Sequence, residues 1–106
     1  VLHFVQDFDN PAGLLARLIR DFPAGSHVVV SHGSADFNPA GALEATETYH
    51  ATSSYVPRTG QAINALFGGM SLIEPGLVPL TQWPDTSVPA RGEMIGMYAA
   101  IGKKTA

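Results

Sequence analysis

His27-Val28-Val29-Val30-Ser31-His32 decides how this chain folds. Its three consecutive valines do not alternate with polar residues, as expected for a strand covered on both faces, and such strands belong to parallel sheets. Just before it, Pro23-Ala24-Gly25-Ser26 stops a helix. That helix opens at Asn10-Pro11, a capping residue followed by proline at the first helical position. Within it Leu14, Leu15, Leu18, Ile19 and Phe22 recur at spacings of one, three and four, with Arg17, Arg20 and Asp21 on the other side, so one stripe faces a core. Further upstream, Val1-Leu2-His3-Phe4-Val5 reads as a buried strand that runs into a polar loop of Asp7, Asp9 and Asn10. Strand, helix and buried strand make a right-handed βαβ unit, and the fold class is α/β.

Downstream, Asn38-Pro39 repeats the cap-then-proline pattern and opens a weaker helix through Leu43, Thr46, Tyr49 and His50. Thr59 caps a third helix, in which Ile63, Leu66 and Phe67 form a stripe; Gly68-Gly69 ends it where a left-handed residue is wanted. Leu72-Ile73-Glu74 and Leu77-Val78-Pro79-Leu80, separated by Pro75-Gly76, read as one interrupted edge strand, because a proline-bearing strand cannot sit inside a sheet. Residues 83–92 form a loop, and 94–101 a last strand before a frayed basic tail.

Composition removes several classes of function. A chain of 106 residues is one domain at most. With a net charge of -3 and Lys103-Lys104 as its only basic cluster, it lacks the footprint of a nucleic-acid binder. Without cysteine there are no disulfides and no thiolate metal sites, and the histidines at 3, 27, 32 and 50 have no metal-binding spacing. No apolar run approaches the ~20 residues that span a bilayer, and no leader opens the chain, so a soluble, cytoplasmic protein is expected. Charged residues are only 14%, which leaves surface to meet other protein. The first residue is Val and opens mid-strand, which leads us to expect the C-terminal piece of a longer protein.

Three stretches carry a family resemblance: Val1-Leu2-His3-Phe4-Val5 with Asp7 and Asp9-Asn10-Pro11; Pro23-Ala24-Gly25-Ser26 leading to Val30-Ser31-His32; and Phe67-Gly68-Gly69 leading to Leu72-Ile73-Glu74-Pro75-Gly76-Leu77-Val78-Pro79 and Trp83. In order and spacing these resemble the bacterial S-adenosyl methyltransferase family, with its class I methyltransferase fold. The resemblance implies the C-terminal half of a Rossmann-like sheet, with strand order 4-5-7-6 and the last strand antiparallel. It further implies that residues 1–106 are the C-terminal part of a single methyltransferase domain. The S-adenosylmethionine-binding half, with its glycine-rich turn, would then lie outside this chain, since no such loop is present here. A small-molecule methyl acceptor is expected. The apolar first strand would pair either with a second copy, as a homo-oligomer, or with the missing N-terminal half.

In open α/β sheets ligands gather beyond the carboxyl ends of the strands, which here offer His3, Phe4 and Asp7, and then Ser31, His32, Ser34 and Asp36. His3 with Asp7 resembles the His-x-x-x-Asp stretch in which small-molecule O-methyltransferases carry a catalytic base. Three roles are open to His3: general base, contact to the cofactor's sulfonium end beside Leu2 and Phe4, or a hydrogen-bonded structural residue. His32 and Asp36 are candidates for substrate contact, against a role in capping the following loop. Tyr49, Tyr55 and Trp83 could line an apolar pocket or pack in the core. A hydrolase is set aside: Val29 stands where a nucleophile elbow needs glycine, and Ser34, His32 and Asp36 are too close in sequence for a triad. The remaining alternative is a non-catalytic α/β fragment that serves as a pairing module.

Overall fold

The computed structural model describes residues 2–49, 55–89 and 96–105. Helix α1 spans Pro11–Ile19, strand β1 His27–Gly33, helix α2 Pro39–Tyr49 and helix α3 Gly60–Ala65. Strands β2 (Ser71–Leu72), β3 (Val78–Pro79) and β4 (Met97–Lys103) complete the sheet. The caps form where expected: the Asn10 side chain accepts from the Gly13 N–H at 3.1 Å, and Thr59 from Ala62 at 3.1 Å. Gly68 takes the left-handed conformation that ends the third helical segment (φ 53°).

β4 runs antiparallel to β1 along its whole length, from His27 opposite Lys103 to Gly33 opposite Met97. On its other side it pairs with β2 and then β3, also antiparallel, so the edge strand interrupted at Pro75-Gly76 is present as expected. The sheet carries its core on one face, where Val30, Phe67 and Ala100 are buried and Leu2, Val28, Met70, Leu72 and Leu77 pack against them. Ile63 is fully buried and Leu66 nearly so, which makes the stripe of α3 part of the interior. Phe67 lies so close over β4 that a Cβ at Gly102 would come within 2.8 Å of its ring; only glycine fits there.

Several expectations need correction. The described part of the apolar run expected as a strand at 1–5 is not a strand: Leu2–Phe4 is a 3-10 turn closed by the Val5 N–H on the Leu2 carbonyl. Its carbonyls are drawn off sideways, since His3 O accepts from Val56 N and Leu2 O and Val5 O accept from the Arg58 guanidinium. No ladder can form on such a backbone. Among the described residues β1 therefore pairs only with β4, and it is not covered on both faces: Val30 is buried while Val29 is 74% exposed. On α1 Pro11 and Leu15 are buried while Leu18, and Phe22 just past its end, are exposed; on α2 the buried residue is Ala42, with Leu43 exposed. His50 lies outside the described residues, as do residues 90–95.

Nor is the basic tail frayed. Lys104 Nζ donates to the carbonyls of Ile19, Arg20 and Phe22 at 3.0, 2.6 and 2.6 Å, closing the carboxyl end of α1 with a cation. The Lys104 backbone also exchanges bonds with Gly25 and Ser26. Among the described residues no helix is long and apolar enough to cross a membrane.

Candidate functional site

The segment before α1, the carboxyl end of β1 and the approach to α3 meet at one side chain, Arg58. It is the only Asp, Glu, Lys or Arg between Glu47 and Glu74, and it is buried. Its Nε donates to Asp7 Oδ1 at 3.1 Å and its Nη2 to the same oxygen at 2.8 Å and to Val5 O at 2.7 Å. Its Nη1 donates to Leu2 O at 3.1 Å and to His32 Nε2 at 3.0 Å. Buried charge is tolerated when it is paired and its donors are used, and here all three nitrogens have partners.

Those bonds define the tautomers of both histidines. A guanidinium can only donate, so His32 Nε2 is a bare acceptor, and the proton sits on Nδ1, which donates to Gly33 O at 2.7 Å. His32 is fully buried with both nitrogens committed inside the protein, so it is not placed to touch a substrate. Burial first, and Arg58 second, push its pKa down, against the pull of the Gly33 carbonyl. His3 stands edge-on to it, ring centres 5.6 Å apart. Its Nδ1 accepts the Gly33 N–H at 3.2 Å, which leaves the proton on Nε2. Burial chiefly, with neighbouring charge that includes Arg58, lowers its pKa to about 4, so His3 is neutral at pH 7. Asp7, which the sequence paired with His3, is turned to Arg58 instead.

Around His3 the rings of Phe4, Tyr49 and Tyr55 gather. Phe4 lies edge-on to His3 at 4.5 Å and to Tyr49 at 5.1 Å, and Tyr55 is 5.3 Å from His3 and 5.5 Å from Tyr49. Phe4 and Tyr49 remain exposed, and Tyr55 is half-buried, so these tyrosines form a rim and not a core; the ring contacts among the described residues do not bring Trp83 into it. Tyr55 lies over the end of β1, where a Cβ at Gly33 would fall on its hydroxyl. Burial, then Tyr49, pushes the Tyr55 pKa up, keeping the hydroxyl protonated.

Asp36 is exposed but also engaged. One of its oxygens accepts from Tyr98 Oη at 2.9 Å and from Gly60 N at 2.8 Å, tying the loop after β1 to β4 and to the start of α3. Burial and this carboxylate push Tyr98 up to about 12. The structure thus brings His3, His32 and Phe4 together as the sequence suggested, and assigns Asp36 to a clamp. Arg58 escaped the sequence reading; its isolation among 25 residues without Asp, Glu, Lys or Arg was the clue, for a lone charge in such a stretch must find buried partners. A groove of about 240 Å³ between α1 and the turn after α3 involves none of these residues.

Comparison with curated proteins finds no match. Among solved structures, a DUF574 family protein from Streptomyces avermitilis MA-4680 superimposes with a TM-score of 0.89 at 35% identity, over 98% of this chain and 41% of that one. A candidate methyltransferase from Thermobifida fusca YX gives a TM-score of 0.76 at 24% identity, over 99% and 41%, and so shares the fold. The chain therefore spans about two fifths of the length of each, 41%. The sequence profile described as S-adenosyl methyltransferase matches residues 1–105. From end to end, this α/β chain with its antiparallel last strand belongs to the S-adenosyl methyltransferase family.

Proposed function

We propose that this chain forms one side of an S-adenosylmethionine-dependent methyltransferase site, with a small-molecule acceptor. The observation that carries the reading is the aromatic rim of Phe4, Tyr49 and Tyr55 around a neutral His3 at the end of β1. S-adenosylmethionine supplies an electrophilic methyl on a sulfonium cation, which has no hydrogen-bond donor of its own to offer. Ring faces suit such a cation better than polar groups do. Arg58, the fixed positive charge nearby, is offset by Asp7. Leu2, His3 and Phe4 are the residues of this chain that would hold the cofactor's reactive end.

Of the roles open to His3, the arrangement favours contact over general base. Its basic nitrogen already accepts the Gly33 N–H, and a pKa of about 4 makes it a weak base at neutral pH. His3 then orients the turn and presents a fixed N–H. Asp36, exposed midway along the loop after β1 and held there by Tyr98 and Gly60, is the candidate for acceptor contact. The groups that would hold the nucleoside belong to the remaining three fifths of a protein of the relatives' length, and the edge of β1 away from β4, unpaired among the described residues, would pair with it or with a second copy.

Calorimetric titration of the full-length protein with S-adenosylmethionine tests the reading. Phe4→Leu keeps apolar bulk and removes the ring; it should weaken binding by roughly 0.5–2 kcal/mol. Absence of binding to the wild type would refute the proposal, and equal affinity in the variant would remove the rim from it.

A further inference from the structure

We propose that Arg58 is the positioning residue of this site: its guanidinium sets the path of Leu2–Phe4 and holds His32 as a neutral hydrogen-bond acceptor. This rests on the methyl-transfer reading above, since Leu2–Phe4 is the segment that would meet the cofactor.

Three neighbouring carbonyls are committed to one short stretch. Leu2 O and Val5 O take Nη1 and Nη2 of Arg58, and His3 O takes the N–H of Val56, two residues before it. With the backbone pinned on both sides of His3 and Phe4, their rings are what the turn can present. The same Nη1 reaches His32 Nε2, so the turn and the end of β1 are held by one planar group. His32 passes the constraint on: its Nδ1–H binds Gly33 O, and Gly33 N–H binds His3 Nδ1. The circuit Arg58, His32, Gly33, His3 and back through Leu2 O is closed.

Lysine cannot substitute. Its ammonium is a compact point charge with three donors, whereas this site uses five contacts in a rigid fork aimed at four residues. The outer end of the fork rests on Asp7, whose side chain is 83% exposed, so altering it leaves the interior packing intact.

Two variants of the full-length protein, Arg58→Lys and Asp7→Asn, decide the matter by nitrogen NMR of His32, amide shifts of Leu2–Phe4, and calorimetry with S-adenosylmethionine. The wild type should show His32 protonated at Nδ1 alone. Arg58→Lys should mix the His32 tautomers, shift the Leu2–Phe4 amides and weaken cofactor binding roughly 10- to 100-fold, the penalty for small misplacement. Asp7→Asn should move all three in the same direction by less. If Arg58 only stabilises the fold, Arg58→Lys lowers the melting temperature while affinity, His32 shifts and Leu2–Phe4 shifts stay unchanged, which would overturn the proposal. Should Arg58→Lys not fold, Asp7→Asn decides by the same readouts. A wild type that does not bind the cofactor overturns the methyl-transfer reading alone, because the nitrogen and amide shifts are read without ligand.

Discussion

Acid should loosen this protein well before its carboxylates are protonated, and His3 should be a main cause. The folded state keeps His3 neutral down to about pH 4, whereas the unfolded chain takes up the proton near 6.5. Between those values the unfolded state binds more protons, so stability falls as pH drops through that window and is constant above it. Each pH unit below 6.5 costs up to about 1.4 kcal/mol, which makes roughly 2 kcal/mol at pH 5 for His3 alone, out of about 5–15 kcal/mol for a domain this size. His32, also lowered by burial, adds in the same direction. Urea unfolding at pH 7 and pH 5 measures the loss. His3→Gln isolates the His3 share, because glutamine keeps an oxygen to accept the Gly33 N–H and cannot titrate; it should lose about 2 kcal/mol less over the same interval. Equal losses in wild type and variant, or a His3 ring resonance that titrates near 6.5, would refute the reasoning and return the general-base role to His3.

Two further outcomes follow from the packing. Ile63→Ala, at a fully buried position, should cost about 2–5 kcal/mol in urea unfolding with an unchanged denaturant slope. Lys104→Met keeps the stem and removes the cation from the end of α1, and should lower stability by about 1–2 kcal/mol; a loss below a few tenths would show that the three carbonyls are served equally well by water.

How far the sequence could be read depended on whether the deciding interaction was local. Asn10 and Thr59 cap helices through their own chain neighbours, and the prolines at 75 and 79 exclude an interior strand by themselves, so α1, α3 and the broken edge strand were legible. Val28-Val29-Val30 misled because two-sided burial depends on what is stacked above Val29, which three valines cannot specify. Val1-Leu2-His3-Phe4-Val5 misled for a related reason: its hydrophobicity is right for a strand, but a guanidinium more than fifty residues away claims its carbonyls. His3 and His32 were found as candidates from their strand-end positions. That His32 is sealed inside, and that Asp7 faces Arg58, depended on a residue whose partners no spacing rule connects.

β4 has a bearing on how the molecule is made. Among the described residues β1, β2 and β3 form no pairs with one another; every rung of the sheet includes a residue of Met97–Lys103. A ribosome delivers that segment some seventy residues after β1, so the side of β1 that β4 covers must wait without its partner until nearly all of this chain has emerged. At translation speeds of about 5–20 residues per second the wait lasts seconds, long compared with the microseconds of a hairpin. During it Val28, Val29 and Val30 stand open to any passing extended chain. The vulnerable moment of this fold thus falls before the sheet exists, and a chaperone that shelters β1 on the nascent chain would guard it better than one acting on the finished protein.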